Sequence, residues 1–108
     1  MRISHLFVVT ALVAASAHAE VDAKITRTWK AKCASCHGVD GKGDTETGKK
    51  AKLPDFTKAE WQKGKTDAQI KSAIENGTKK DGNEMDPYKD KLSAEQIDGL
   101  VAFVRTLK

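Results

Sequence analysis

The chain has 108 residues, 31% of them charged, and a basic excess of only +4 from 19 basic and 15 acidic side chains. So small an excess, with lysines and acids interleaved, excludes a nucleic-acid surface. The length allows one small domain, near the size at which a single core becomes marginal, and shows no internal repeat.

Residues 1–19 read as a secretory leader. Arg2 gives a short positive region, Leu6 to Ala17 is an apolar run broken only by Thr10 and Ser16, and Ala17-His18-Ala19 is a small-x-small cleavage site. The run is shorter than the about 20 apolar residues of a membrane span, a retained anchor being the other reading. Export to the periplasm and cleavage after Ala19 leave residues 20–108 as the mature domain. His5, His18 and Met1 leave with the leader, so the mature chain holds one histidine, His37, and one methionine, Met85.

From about Val21 to Lys32, the recurrence of Val21, Ile25 and Trp29 every four residues predicts a first helix. It feeds into Cys33-Ala34-Ser35-Cys36-His37, which contains both cysteines. C-x-x-C-H is the attachment motif of a c-type haem. On one helical turn, residues three apart share a face, so two thiols reach two vinyl groups along one porphyrin edge and the next residue brings an imidazole under the ring. Thioredoxin-type chemistry would need a βαβ context, and a zinc site would need a second Cys or His pair. A disulfide across two residues would be a poor staple. The spacing therefore predicts one haem, attached through Cys33 and Cys36, with His37 on the iron.

Gly38 to Asp44 is a polar, glycine-rich loop able to hug the haem rim, and its G-x-G lacks the preceding strand of a phosphate site. Leu53-Pro54-Asp55-Phe56 is a turn. Thr57 and Glu60 spell a capping box that opens a short helix carrying Trp61, which is either core or, if buried, an indole donor to a haem propionate. A second box, Thr66 with Gln69, opens a helix with Ile70, Ala73 and Ile74 on one face and Gly77 at its stop. The stretch Gly77 to Glu84 is polar, and no packing periodicity calls for the methionine that follows. Such a residue is more often core or surface than ligand. With both thiols in thioether bonds, however, Met85 is the one soft donor left for the second axial position.

Ser93 and Gln96 box the start of the last helix, whose Ile97, Leu100, Val101, Val104 and Leu107 follow a 3.6-residue period with Phe103 beside them. Gly99 inside it costs about 1 kcal/mol relative to alanine. A close crossing by the first helix, with Trp29, would account for it, mere tolerance being the alternative. Aromatics are few, so haem is expected to supply much of the apolar interior and the apoprotein to be largely unfolded.

Taken together, Cys33 to Gly38, Asp40 to Asp44, Met85 to Ser93 and Leu100 to Arg105 resemble a class I c-type cytochrome over residues 20–108. That resemblance implies an all-α cytochrome c fold, about four short helices around one covalently bound haem c, with iron between His37 and Met85. Trp29 and Phe103 match the family's aromatic positions in the first and last helices. Family members often carry a glycine in the first helix where it crosses the last; here Ile25 occupies that register and Gly99 stands in for the close approach. By resemblance to short bacterial forms, the Pro54 carbonyl receives the His37 N–H, which would fix the ring and raise its basicity. Six-coordinate iron has no site for substrate, so the expected role is that of a periplasmic one-electron carrier and not an enzyme. It would be a monomer that meets redox donors and acceptors transiently, lysines near the haem motif and Met85 steering acidic partners. An electron-transfer subunit of a larger dehydrogenase fits the same residues, and an unligated Met85 would make a five-coordinate haem enzyme or gas sensor.

Overall fold

Helices dominate the computed structural model, which describes residues 15–80 and 83–108; residues 1–14 of the expected leader lie outside them. In chain order the elements are α1 (Ala15–Lys32), α2 (Ala34–His37), α3 (Glu46–Ala51), α4 (Ala59–Gly64), α5 (Asp67–Asn76), β1 (Thr78–Lys80), β2 (Asn83–Met85) and α6 (Ala94–Thr106). The all-α expectation holds, with two short helices beyond the four expected and a small hairpin in place of a polar loop.

Helix α1 buries Ile25 and Trp29 against α6, which in turn buries Ile97, Leu100, Val101 and Val104. The crossing is close at Gly99, where a Cβ would stand 2.5 Å from Ile25 Cδ1 and 2.7 Å from its Cγ1. Ile25, not Trp29, is therefore the residue that the glycine admits. Trp29 meets α6 one turn further on, its ring 5.0 Å from that of Phe103. Helix α5 packs on α6 through Ile70 and Ile74. These residues form one core with Phe56.

Two of the three expected capping boxes are made. Thr66 and Gln69 exchange bonds at 3.1 and 2.9 Å, Ser93 and Gln96 at 3.1 and 2.8 Å. The Thr57–Glu60 box is not. Asp55 Oδ1 accepts both the Thr57 hydroxyl at 2.6 Å and its backbone N–H at 2.8 Å, so α4 starts one residue later, with Lys58 as N-cap. This helix buries no residue fully. A polar clasp holds it instead: Gln62 Nε2 donates to Phe56 O and Val104 O at 2.7 and 2.9 Å, while Arg105 donates to Gln62 O, Asp67 Oδ1 and Lys65 O. The corner between α4 and α5 is thereby fastened to the end of α6.

Strands β1 and β2 pair antiparallel with Thr78 opposite Met85. Gly77, with φ +70°, turns the chain out of α5, and a Cβ there would run into the Met85 carbonyl oxygen. Met85 thus sits at the end of a strand braced against the end of α5. No helix among the described residues is long and apolar enough to cross a membrane.

Candidate haem site

Cys33 lies at the junction of two helices. Its N–H donates to Trp29 O at 2.9 Å, continuing α1, and its carbonyl accepts the N–H groups of Cys36 and His37 at 3.3 and 2.9 Å, closing the turn of α2. One turn therefore puts both thiols and the imidazole on neighbouring positions, as the C-x-x-C-H spacing requires. Such a short helix leaves its last carbonyls without partners, and the following segment and α1 satisfy those of Cys36, His37 and Gly38. Cys36 O accepts the Thr45 hydroxyl at 2.6 Å, His37 O accepts the Gly43 N–H at 2.7 Å, and Gly38 O accepts the buried Trp29 indole at 3.0 Å. The glycine-rich loop hugs the attachment turn; none of its residues lines the cavity described below.

Thr45 has a second task. Its oxygen accepts the Gly48 N–H at 2.8 Å and so caps α3, a helix that the sequence reading missed. The usual signature would place Glu or Gln three residues after the cap. Here that position is Gly48, because a Cβ would collide with Gly43 O and stand 2.6 Å from Cys36 O. The cap signal is sacrificed to press α3 onto the attachment turn.

Against this turn opens a cavity of about 280 Å³. Cys33 and His37 reach it from the turn, Trp29 from α1, Ile70 and Ile74 from α5, Leu100 and Val104 from α6, and Met85 from β2. Pro54, Phe56 and Trp61 complete the wall. The sequence-predicted residues thus converge on one mostly apolar space. Cys36 is the exception: it is half-buried beside Ser35 and does not line the cavity.

The His37 ring stacks on Phe56, centroids 4.8 Å apart at 27°, and lies 5.9 Å from Trp29. Burial holds its pKa below the usual 6.5, so the ring is a neutral nitrogen donor near neutral pH. Its Nδ1 is buried and accepts or donates no hydrogen bond among the described residues. The expected bond to the Pro54 carbonyl is not formed here. Pro54 lines the cavity, but its oxygen crowds Gly43, lying 3.2 Å from where a Cβ on that glycine would stand. Trp61 packs its ring 4.3 Å from Phe56 and is half-buried, a wall residue of the cavity.

No disulfide joins Cys33 to Cys36. Burial, with a smaller contribution from the neighbouring Cys36, pushes the Cys33 thiol up to about 11. No group of three or more His, Cys, Asp or Glu among the described residues could hold a metal, so a zinc site has no ligand set. What remains is the Cys33 thiol, a neutral imidazole and a thioether around an apolar space, with the Cys36 thiol on the same turn as Cys33. That set fits a c-type haem.

A family model described as cytochrome c oxidase, cbb3-type, subunit III matches residues 20–104. The chain is 38% identical over 77 residues to the cbb3-type cytochrome c oxidase subunit FixP of Azorhizobium caulinodans, covering 71% of this chain and 24% of that protein. It therefore spans about a quarter of the curated relative's length. Among solved structures it is similar to the KustC0563 c-type cytochrome, with TM-score 0.69 and 36% identity over 77% of this chain and 95% of that one. A point mutant of that cytochrome gives TM-score 0.68 and 36% identity over 78% and 98%. The chain belongs to the cbb3-type cytochrome c oxidase subunit III family, and is a class I c-type cytochrome that binds haem c covalently and serves electron transfer.

Proposed function

We propose that this chain is an exported one-electron carrier in which Cys33 and Cys36 anchor the haem and His37 and Met85 hold its iron. The observation that carries the reading is the convergence of Cys33, His37 and Met85 on one apolar cavity, although Met85 arrives from a strand far along the chain. Bound haem c supplies the redox chemistry, one electron exchanged between ferrous and ferric iron. The protein's own residues do the rest. The Met85 thioether is a neutral donor that favours the lower charge and so raises the potential. Trp29, Phe56, Leu100 and Val104 keep water away, which disfavours the extra ferric charge in the same direction. The carbonyls of the attachment turn, bonded to Thr45, Gly43 and Trp29, fix His37 in one place. An unchanging frame needs little rearrangement between oxidation states.

The family and the FixP relative support a second reading, in which the carrier is a subunit or domain of a larger oxidase and hands electrons within that assembly. Spectra of ferric wild type and Met85→Ala test the ligand set. Wild type should be low-spin with the thioether-to-iron charge-transfer band, and the variant should lose that band and bind cyanide readily. A wild type that is already high-spin refutes the carrier reading. Intact mass of the periplasmic protein, expected to begin at Glu20, tests export. Migration on native gels, alone or with an oxidase, separates a free carrier from a subunit.

A further inference from the structure

Met85 needs restraint on both sides, because a thioether is a weak ligand and a strand end frays. On its N-terminal side β2 pairs with β1, and its own carbonyl packs against Gly77, which leaves no room for a Cβ between them. On its C-terminal side the chain runs through Asp86 and Pro87 to Tyr88, where several bonds meet. The Tyr88 N–H donates to Ile74 O at 2.9 Å and the Lys89 N–H to Glu75 O at 3.1 Å, docking the segment on the end of α5. The Tyr88 carbonyl accepts the N–H groups of Lys91 and Leu92 at 3.0 and 2.9 Å. Its hydroxyl spans a sequence separation of 56 residues to donate to Lys32 O at 3.2 Å. Lys32 ends α1 and immediately precedes Cys33. Of these bonds, the hydroxyl's is the one that joins the Met85 segment to the turn carrying the thiols and His37.

We propose that Tyr88 is a positioning residue for Met85, its hydroxyl setting the distance between the segment that carries Met85 and the turn that carries His37. The ring, half-buried and with Lys91 Nζ 5.5 Å from its centroid, stays packed when the hydroxyl is removed. Loss of the bond then acts on opening of the Met85 segment rather than on the core. The inference rests on Met85 being an iron ligand, so the experiment separates the two.

Imidazole is titrated into the ferric holoprotein, where it must displace Met85 to bind. Removing one such hydrogen bond favours the opened segment about fivefold, so Tyr88→Phe should bind imidazole about fivefold more tightly than wild type. Without imidazole the variant should keep its thioether band. In the Met85→Ala background, Tyr88→Phe should leave imidazole affinity unchanged, since no thioether remains to displace. Equal affinity of Tyr88→Phe and wild type overturns the proposal, even where the variant unfolds at lower denaturant. A fivefold gain that persists in the Met85→Ala background overturns it too, because the tyrosine then acts on the pocket directly. A wild type that lacks the thioether band and binds imidazole as tightly as Met85→Ala overturns the ligand reading, and this inference with it.

Discussion

Gly99 decides how closely the helix that leads into the haem motif can approach the helix that walls the haem, and its role can be measured by a reversal of sign. Placed at 99, an alanine improves helix propensity by about 1 kcal/mol. Its Cβ, however, would lie 2.5 Å from Ile25 Cδ1 and 2.7 Å from Cγ1. Overpacking of that kind costs about 1–3 kcal/mol. The net effect of Gly99→Ala is therefore a loss of up to about 2 kcal/mol. Truncation of Ile25 to alanine removes both crowding atoms and leaves the Cβ, which is 3.9 Å away and in ordinary contact. In that background Gly99→Ala should stabilise by about 1 kcal/mol, the propensity gain alone. Ile25→Ala by itself costs about 2–5 kcal/mol, so the cycle is best run on the ferric holoprotein by denaturant unfolding followed by circular dichroism. The expected coupling is about 1–3 kcal/mol. Stabilisation by Gly99→Ala in both backgrounds would mean that the glycine is merely tolerated, and that the crossing distance is set elsewhere.

Thr45→Val should cost about 1–3 kcal/mol, because Cys36 O loses its hydroxyl donor inside a packed contact, and Thr45→Ser should recover most of it; denaturant midpoints decide. Asp55 titrates below the ordinary 3.8, chiefly through the Thr57 hydroxyl bond, so its contribution to stability is present above that pH and fades as pH falls through the lowered value. Thr57→Val should move the Asp55 carboxyl back up, read by NMR titration of the side-chain carbon; an unmoved titration would deny the hydroxyl that role.

What was legible in the sequence is what depends on local chemistry. The C-x-x-C-H turn, the two Thr/Ser–Gln boxes and the α6 stripe all encode their geometry within a few residues, and each stands where it was expected. Met85 stands out by elimination, as the one methionine outside the expected leader, and it lines the cavity. What escaped depends on distant partners. Helix α3 has no apolar stripe, and its cap box is broken by Gly48 for the sake of carbonyls on the attachment turn. The Thr57 box looks sound in sequence, but Asp55, two residues earlier, takes the Thr57 N–H that Glu60 would accept and engages the Thr57 hydroxyl as well. The hairpin bearing Met85 lies in a polar run whose strand pairing follows from its neighbours rather than from alternation. Pro54 lines the cavity, yet its carbonyl does not meet His37 as expected, because the direction of that carbonyl is a property of the fold around Gly43.

The same geometry makes folding and haem retention one event. Of the nine core residues among those described, Trp29, Phe56, Ile70, Ile74, Leu100 and Val104 also face the cavity, and Ile25, Ile97 and Val101 are packed away from it. The cavity is partly open to solvent, so without the group that fills it the apolar faces of those six residues meet water. A domain of this size has about 4–13 kcal/mol of stability in total, at about 0.05–0.15 kcal/mol per residue. Losing that group exposes six core residues at once, against this small margin. A Cys33→Ser, Cys36→Ser chain made without haem should accordingly show weak far-ultraviolet circular dichroism and no cooperative denaturant transition. Helical content close to that of the holoprotein, melting cooperatively, would show that Ile25, Ile97 and Val101 suffice to hold α1 on α6, and the cavity would then be a feature the fold makes before the haem arrives.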